Sequence, residues 1–278
     1  MTKKSKSKKS FMDQVRDNEM SRRKPANYTY FNATDFIIND EYVLLTPFSD
    51  IHAGNEDLKQ SELEKTVEKE YDNGSILALN GDLIESKTRS RKGDGIFTQW
   101  NPMKQMDYIM DLFKPFAKDG RIIAMTNGNH EDAITLETGV DVTAIMAKEF
   151  NIPYLKNGGF MAVKCGDELY NLYMTHGSSN STLPYTKIKA CLNLGTFIQG
   201  VDAYLYGHVH DKQDHTQEVY VPNNRSRSIE VKKIHYVLTG HYLNYINSYA
   251  QQKSMRPSAT GTPELFLYSD KHEIDVKL

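Results

Sequence analysis

No stretch of this 278-residue sequence is apolar for more than a handful of positions. A membrane-crossing helix needs about 20 such residues in a row, so no membrane span is expected. The lysine-rich N-terminus has no apolar segment behind it, so a secretory leader is not expected either. Cysteine is scarce: Cys165 and Cys191 lie far apart and outside any Cys-x-x-Cys pattern. They read as small buried apolar residues rather than as a disulfide or a metal site. A cytoplasmic protein is the simplest expectation. There is also no internal repeat and no convincing linker between halves, which favours one domain over two.

What is present is an ordinary core-forming composition, 39% hydrophobic and 25% charged, with a net charge of −2. The charge is uneven. Residues 1–25 carry nine Lys or Arg against Asp13, Asp17 and Glu19, a balance of +6 that leaves −8 on the remainder. Two readings follow: a solvated, disordered leader, or a tail drawn to nucleic acid through phosphate contacts. Residues 26–278 are then the expected single domain, with oligomeric state unreadable.

Hydrophobic periodicity alternates strands and helices through the first two thirds of the chain. Strands are expected at Tyr42–Phe48, Ser75–Leu79, Arg121–Met125, Phe160–Lys164, Leu169–Thr175 and Ala203–Tyr206. Helices are expected over Glu56–Asp72, Pro102–Lys118, Asp141–Phe150 and Tyr185–Ile198, and possession of a first-turn Pro102 and a terminal Gly120 fits the second of them. Its inward stripe reads Met103, Met106, Met110, Phe113 and Ala117. In the third, Val142, Ile145, Met146 and Phe150 face inward. After His210 only strands follow, near Val219 and over Ile229–Leu238, Glu264–Tyr268 and Glu273–Val276. The alternation predicts a layered α/β sandwich with two central sheets.

Five short motifs stand where a strand ends or a tight loop begins: Asp50-Ile51-His52, Gly81-Asp82, Gly128-Asn129-His130-Glu131, His176-Gly177 and Gly207-His208-Val209-His210. In extended backbone, Asp-x-His and His-x-His would point both side chains to one side. Ligands of open α/β sheets gather at the carboxyl ends of strands, so the five can converge. Any one of these motifs alone reads better as a turn or a structural histidine. Together they offer carboxylate, imidazole and amide donors, a mixture that suits Mn, Fe or Zn. The set is too large for one ion and right for two if one carboxylate bridges. Two ions of that kind hydrolyse phosphoesters.

In this order the motifs resemble the signature of the calcineurin-like metallophosphoesterase superfamily. The resemblance covers residues 43 to about 210 and implies a four-layer α/β/β/α sandwich with two mixed central sheets. It implies two divalent metal ions, Mn preferred, with Fe, Zn or Ni as alternatives. One would be held by Asp50, His52, Asp82 and His210, the other by Asp82, Asn129, His176 and His208. A metal-bridging hydroxide would attack phosphorus and His130 would act as the general acid. The acid that partners this histidine in the family stands three residues beyond the bridging carboxylate, where this chain has Glu85. No Arg follows Asp82 in Gly81-Asp82-Leu83-Ile84-Glu85-Ser86, unlike the Ser/Thr protein phosphatases, and the opening Ser49-Asp50-Ile51-His52-Ala53-Gly54 looks more like the phosphodiesterase and nuclease branch.

The expected activity is therefore hydrolysis of a phosphodiester in DNA, RNA or nucleotides. A small-molecule phosphomonoesterase is the alternative within the same chemistry, and a non-catalytic nucleic-acid-binding scaffold is the alternative outside it. Lys87, Arg89, Arg91 and Lys92 follow the bridging ligand and read either as a substrate-binding loop or as a solvated one. Trp100 reads as an aromatic seated on the core rather than a base-stacking platform. His241, after a strong strand, is a candidate for reaching substrate against a structural reading; His215, His235 and His272 are assigned no role.

Overall fold

In the computed structural model, residues 10, 12, 26–86 and 100–278 are described. The N-terminal leader, apart from Ser10 and Met12, lies outside the described residues, as do Lys87, Arg89, Arg91 and Lys92. In chain order the strands are β1 (Tyr28–Asn32), β2 (Tyr42–Phe48), β3 (Ile76–Asn80), β4 (Ile122–Thr126), β5 (Tyr154–Lys156), β6 (Gly159–Cys165), β7 (Glu168–Thr175), β8 (Ala203–Tyr206), β9 (Lys212–Asn223), β10 (Ser228–Thr239), β11 (Glu264–Tyr268) and β12 (Ile274–Lys277). The helices are α1 (Gln60–Asp72), α2 (Pro102–Lys118), α3 (Asn129–Thr138), α4 (Val142–Glu149), α5 (Pro184–Leu194) and the short α6 (Tyr249–Gln252). None is long and apolar enough to cross a membrane.

The strands form two six-stranded mixed sheets, ordered β12-β11-β2-β3-β4-β5 and β1-β6-β7-β8-β10-β9. In the first, β2, β3, β4 and β5 run parallel; in the second, β7, β8 and β10 do. Parallel strands are covered on both faces, which is why β3 and β4 are continuous apolar runs buried at every position. Alternate side chains divide between two cores. Val43, Leu45, Ile76 and Ala124 meet Met161, Leu172, Leu205 and Val237 between the sheets. Phe48, Leu77, Leu79 and Met125 point the other way, toward α1 to α4. A third core seats α5 on the second sheet through Cys191, Tyr204, Tyr206 and Tyr236. The result is the α/β/β/α sandwich with two mixed central sheets.

Three local expectations are corrected. The fully buried stripe of α2 runs through Met106, Ile109, Phe113 and Phe116; Met110 and Ala117 pack half-buried at its margin, and Met103 falls outside it. Met103 is 64% exposed. Two stripes overlap on this helix, and the one that buries the larger apolar area prevails, with Phe113 edge-on to Phe48 at 5.3 Å. Ile145 of α4 is likewise 47% exposed rather than inward. Helix α1 begins at Gln60 and not at Glu56, because the preceding backbone is engaged elsewhere: Leu58 pairs with Leu243, and Asn55 Oδ1 accepts the Asp57 N–H at 2.8 Å. Strands β1 and β5, absent from the expected set, are short edge strands with weak apolar pattern.

Candidate metal centre

The carboxyl ends of β2, β3 and β4 in one sheet and of β7, β8 and β10 in the other meet at one pole of the sandwich. There the backbone leaves regular geometry. Asp50, His52, Asp82, His208 and His210 all adopt left-handed φ, between 45° and 68°. The extended backbone expected for Asp-x-His and His-x-His is therefore not what converges these side chains. Left-handed φ costs a non-glycine residue roughly 1–2 kcal/mol, and such residues persist only where their surroundings over-determine them.

Those surroundings are visible. The strand ladder continues past β2 and β3, with Asp50 N–H donating to Gly81 O at 3.1 Å and His52 N–H to Asp82 O at 3.0 Å. Buried Glu131 then accepts the backbone N–H groups of Asp82, Leu83, Ile84 and Gly128, at 2.7–3.1 Å. Burial and the nearby Asp82 charge push the Glu131 pKa up, and those backbone bonds oppose the shift. Asp82 Oδ1 accepts the His130 N–H at 2.9 Å, and Asp50 Oδ2 accepts the His208 N–H at 3.0 Å. Gly128 is required here: a Cβ at this position would collide with the Asp82 carboxylate.

Each carboxylate thus spends one oxygen on backbone and turns the other inward. Asp50 Oδ1 lies 3.2 Å from His210 Nε2, which in turn lies 3.1 Å from His52 Nε2. Asp82 Oδ2 lies 3.2 Å from His176 Nε2, 3.9 Å from His52 Nε2 and 4.0 Å from His130 Nε2. Three groups, Asp50–His52–His210, His52–Asp82–His130 and Asp82–His176–His208, have ligand atoms close enough to hold a metal ion. Asn129, at the first position of α3, lines the same cavity.

The outer nitrogens set the tautomers. His52 Nδ1–H donates to the Glu85 carboxylate at 3.1 Å and His176 Nδ1–H to Asn80 O at 2.9 Å. Both Nε2 atoms therefore face inward, the orientation that ligating imidazoles need. His176 Nε2, His208 Nδ1 and Asp50 Oδ1 are buried without a hydrogen-bond partner. Buried polar atoms in that state are costly, and here they point at common centres. This donor set fits a pair of divalent ions.

Electrostatics point the same way. Burial alone would raise the Asp50 carboxyl, but the facing His176 and His210 imidazoles hold it at about 2. Asp82 is held well below the carboxylate range against the same burial, by His176, His130 and His52. Burial depresses His176 too, yet Asp82 and Asp50 outweigh it and lift its pKa to about 10. His52 and His208 are lowered, first by burial and then by neighbouring imidazoles. Ionised carboxylates are built into the pole, and positive charge is drawn to them.

Two expectations about neighbouring residues change. His130 Nδ1–H donates to the backbone carbonyl of Glu85 at 2.6 Å, while the Glu85 carboxylate stands 3.9 Å from that nitrogen. The carboxylate serves His52 and Asn55 instead, the latter at 2.8 Å. The extra methylene of Glu over Asp carries it past His130. His241 is buried beside the cavity with its ring stacked on His210, centroids 5.4 Å apart. Its Nδ1 accepts the Leu243 N–H, and its Nε2–H donates to Ser258 Oγ at 2.9 Å, whose own proton goes to His210 O. Burial and His210 lower its pKa to about 3, and the residue lies in the cavity lining. Arg89 and Arg91 lie outside the described residues. Trp100 is half-buried, tilted on Tyr108 with the Lys104 ammonium over its ring.

Above the clusters opens a cavity of about 570 Å³. Asn55, Lys187 and the segment 243–258 contribute to it without having been singled out in the sequence. Asn55 follows the Asp-x-His motif by three residues, a signal that was available; Lys187 and the segment carry none.

The sequence model of the family described as calcineurin-like phosphoesterase matches residues 46–212, more than half of the chain. No curated protein matches the sequence. Among solved structures, the calcineurin-like phosphoesterase YfkN from Bacillus subtilis is similar at 16% identity and a TM-score of 0.38, covering 73% of this chain and 82% of its own. Yfce, a phosphoesterase from E. coli, is similar at 14% identity and a TM-score of 0.39, covering 84% of this chain and 96% of its own.

Proposed function

The chain belongs to the calcineurin-like phosphoesterase family, and from that premise we propose that it is a two-metal phosphodiesterase acting on nucleotides or nucleic acid. The observation that carries the reading is the pair of inward-facing clusters that meet at Asp82 Oδ2. Asp50, His52, Asp82 and His210 would hold one ion and Asp82, Asn129, His176 and His208 the other. The mixed oxygen and imidazole donors favour Mn, with Fe, Zn or Ni as alternatives. Bound there, the ions supply Lewis-acid charge to the phosphoryl oxygens and acidify the attacking water.

The protein's own groups do the rest. Glu85 and Asn80 hold His52 and His176 by their outer nitrogens, which keeps the inner lone pairs aimed. His130 is suited to the leaving oxygen. A carbonyl can only accept, so its Nδ1 keeps the proton given to Glu85 O, and Nε2 is the atom that gains and releases one toward the cavity. Two buried thiols, Cys165 and Cys191, suit a reducing cytoplasm.

The test is hydrolysis of bis-p-nitrophenyl phosphate against p-nitrophenyl phosphate with added Mn, on wild type and His130→Ala. The diester should be preferred, and the variant should lose about 10²–10⁴-fold in kcat while keeping its metal. Preference for the monoester would replace the reading with a phosphomonoesterase. Activity on neither would leave a binding scaffold, and parallel loss of metal from His130→Ala would end its role as the acid.

A further inference from the structure

The far wall of the cavity does not come from the motifs. It is the segment 243–258, which lies beyond the span 46–212 that the family model matches. The segment is tied at both ends. Leu243 pairs with Leu58, Asn244 N–H donates to Asp57 O at 2.7 Å, and His241 pairs with Gly261. Ser258 is fastened to the His210 carbonyl at 2.5 Å, so the wall is registered directly on a ligand-bearing strand end. It lines the cavity with Leu243, Tyr245, Met255 and Pro257, while Asn180 and Lys187 line it from the α5 side. Lys187 is buried, and its ammonium lies 3.4 Å from Asp211 Oδ2 and 3.4 Å from His210 O.

We propose that this wall holds the nucleoside of a nucleotidyl phosphoester, an assignment that rests on the phosphodiesterase reading above. The phosphoryl group belongs at the clusters, so whatever it carries must occupy the rest of the cavity. A space of about 570 Å³ is of the size that encloses a small organic ligand, far more than a bare phosphate fills. A polyhydroxylated substituent would find polar groups at Asn244, Ser248 and Arg256 but would leave the apolar surface of Leu243, Met255 and Pro257 facing hydroxyls. A plain acyl or alkyl chain would set Asn180 and Arg256 of the lining against carbon. A nucleobase has two apolar faces and a polar edge. The cavity lining offers such a base an aromatic ring in Tyr245 and a thioether in Met255 for its faces, and in Asn180 an amide, donor and acceptor together, for its edge.

The experiment compares two diesters that release the same p-nitrophenolate, thymidine 5′-(p-nitrophenyl phosphate) and methyl p-nitrophenyl phosphate. Wild type should favour the nucleoside ester by roughly tenfold or more in kcat/KM, chiefly through KM, the range that one stacked base supplies. Tyr245→Ala and Met255→Ala should erase most of that ratio and leave turnover of the methyl ester unchanged, while Tyr245→Phe should keep it. A wild-type ratio near one, or a ratio untouched in both alanine variants, overturns the proposal. If neither ester is hydrolysed the phosphodiesterase reading fails, and calorimetry still decides the pocket. Thymidine 5′-monophosphate should bind more tightly than methyl phosphate in wild type but not in Tyr245→Ala, and equal binding overturns the assignment. Tighter binding of the dinucleotide pTpT would place a strand end there and weaker binding a free nucleotide, either of which is the proposed ligand chemistry.

Discussion

Strand β10 has two halves that obey different rules. Residues 228–233 pair with β9 alone and stand exposed on both faces; Tyr220, Ile229 and Val231 of this ribbon are 69%, 69% and 53% exposed. Tyr220 lies opposite Val231 and Pro222 opposite Ile229, so one face is an apolar cross-strand ladder. Residues 235–239 run between β8 and β9, are buried, and deliver Gly240 and His241 to the metal pole. In the ribbon, β propensity and cross-strand pairing suffice, and positive φ occurs only at Arg227 in the tip. At the pole, five would-be ligands are left-handed, and Gly240 has no room for a Cβ against the Gly261 carbonyl. The difference teaches where this molecule concentrates strain: where buried donors must be aimed, the backbone is overruled by tertiary bonds.

Three substitutions would break or sharpen that contrast. The largest effect belongs to Asp82→Ala, which removes the proposed bridging carboxylate, close to both His52 and His176, and the acceptor of the His130 N–H. Both ions should be lost, measured as metal content of the purified variant. One ion remaining at full occupancy would show that Asp82 does not bridge. Next comes Glu85→Ala, expected to weaken metal binding at the His52 cluster by about 10–100-fold in a metal titration, because the imidazole loses its outer anchor. Were metal affinity intact and only poor leaving groups slowed, as for His130→Ala, Glu85 would serve His130 after all. The smallest effect is at the ribbon: Val231→Ser should shift unfolding free energy by about 0.5 kcal/mol or less and leave turnover unchanged. A fall in turnover there would couple the ribbon to the pole and dissolve the distinction.

Much of this was legible beforehand because it is local. Apolar runs such as Ile122–Thr126 announce buried strands, and the starts of α2 at Pro102 and of α4 at Asp141 and the stop of α2 before Gly120 follow helix-end chemistry. The motif residues were legible because each needs a specific donor at a strand end. What failed was finer: the rotation of α2 depended on which of two overlapping stripes buried more area. The start of α1 depended on Leu243, nearly two hundred residues away.

The sequence alone determined the strand and helix alternation, the order of the five motifs and, through them, the chemistry of the donors. The tertiary structure decided what those donors do for one another. It sends the Glu85 carboxylate to His52 and gives His130 a backbone carbonyl. It satisfies both nitrogens of His241, and it brings the segment 243–258 across the cavity. The physical reason is range: propensity and spacing act over a few residues. The partner a side chain finds at 3 Å is set by segments that meet only once both sheets have closed.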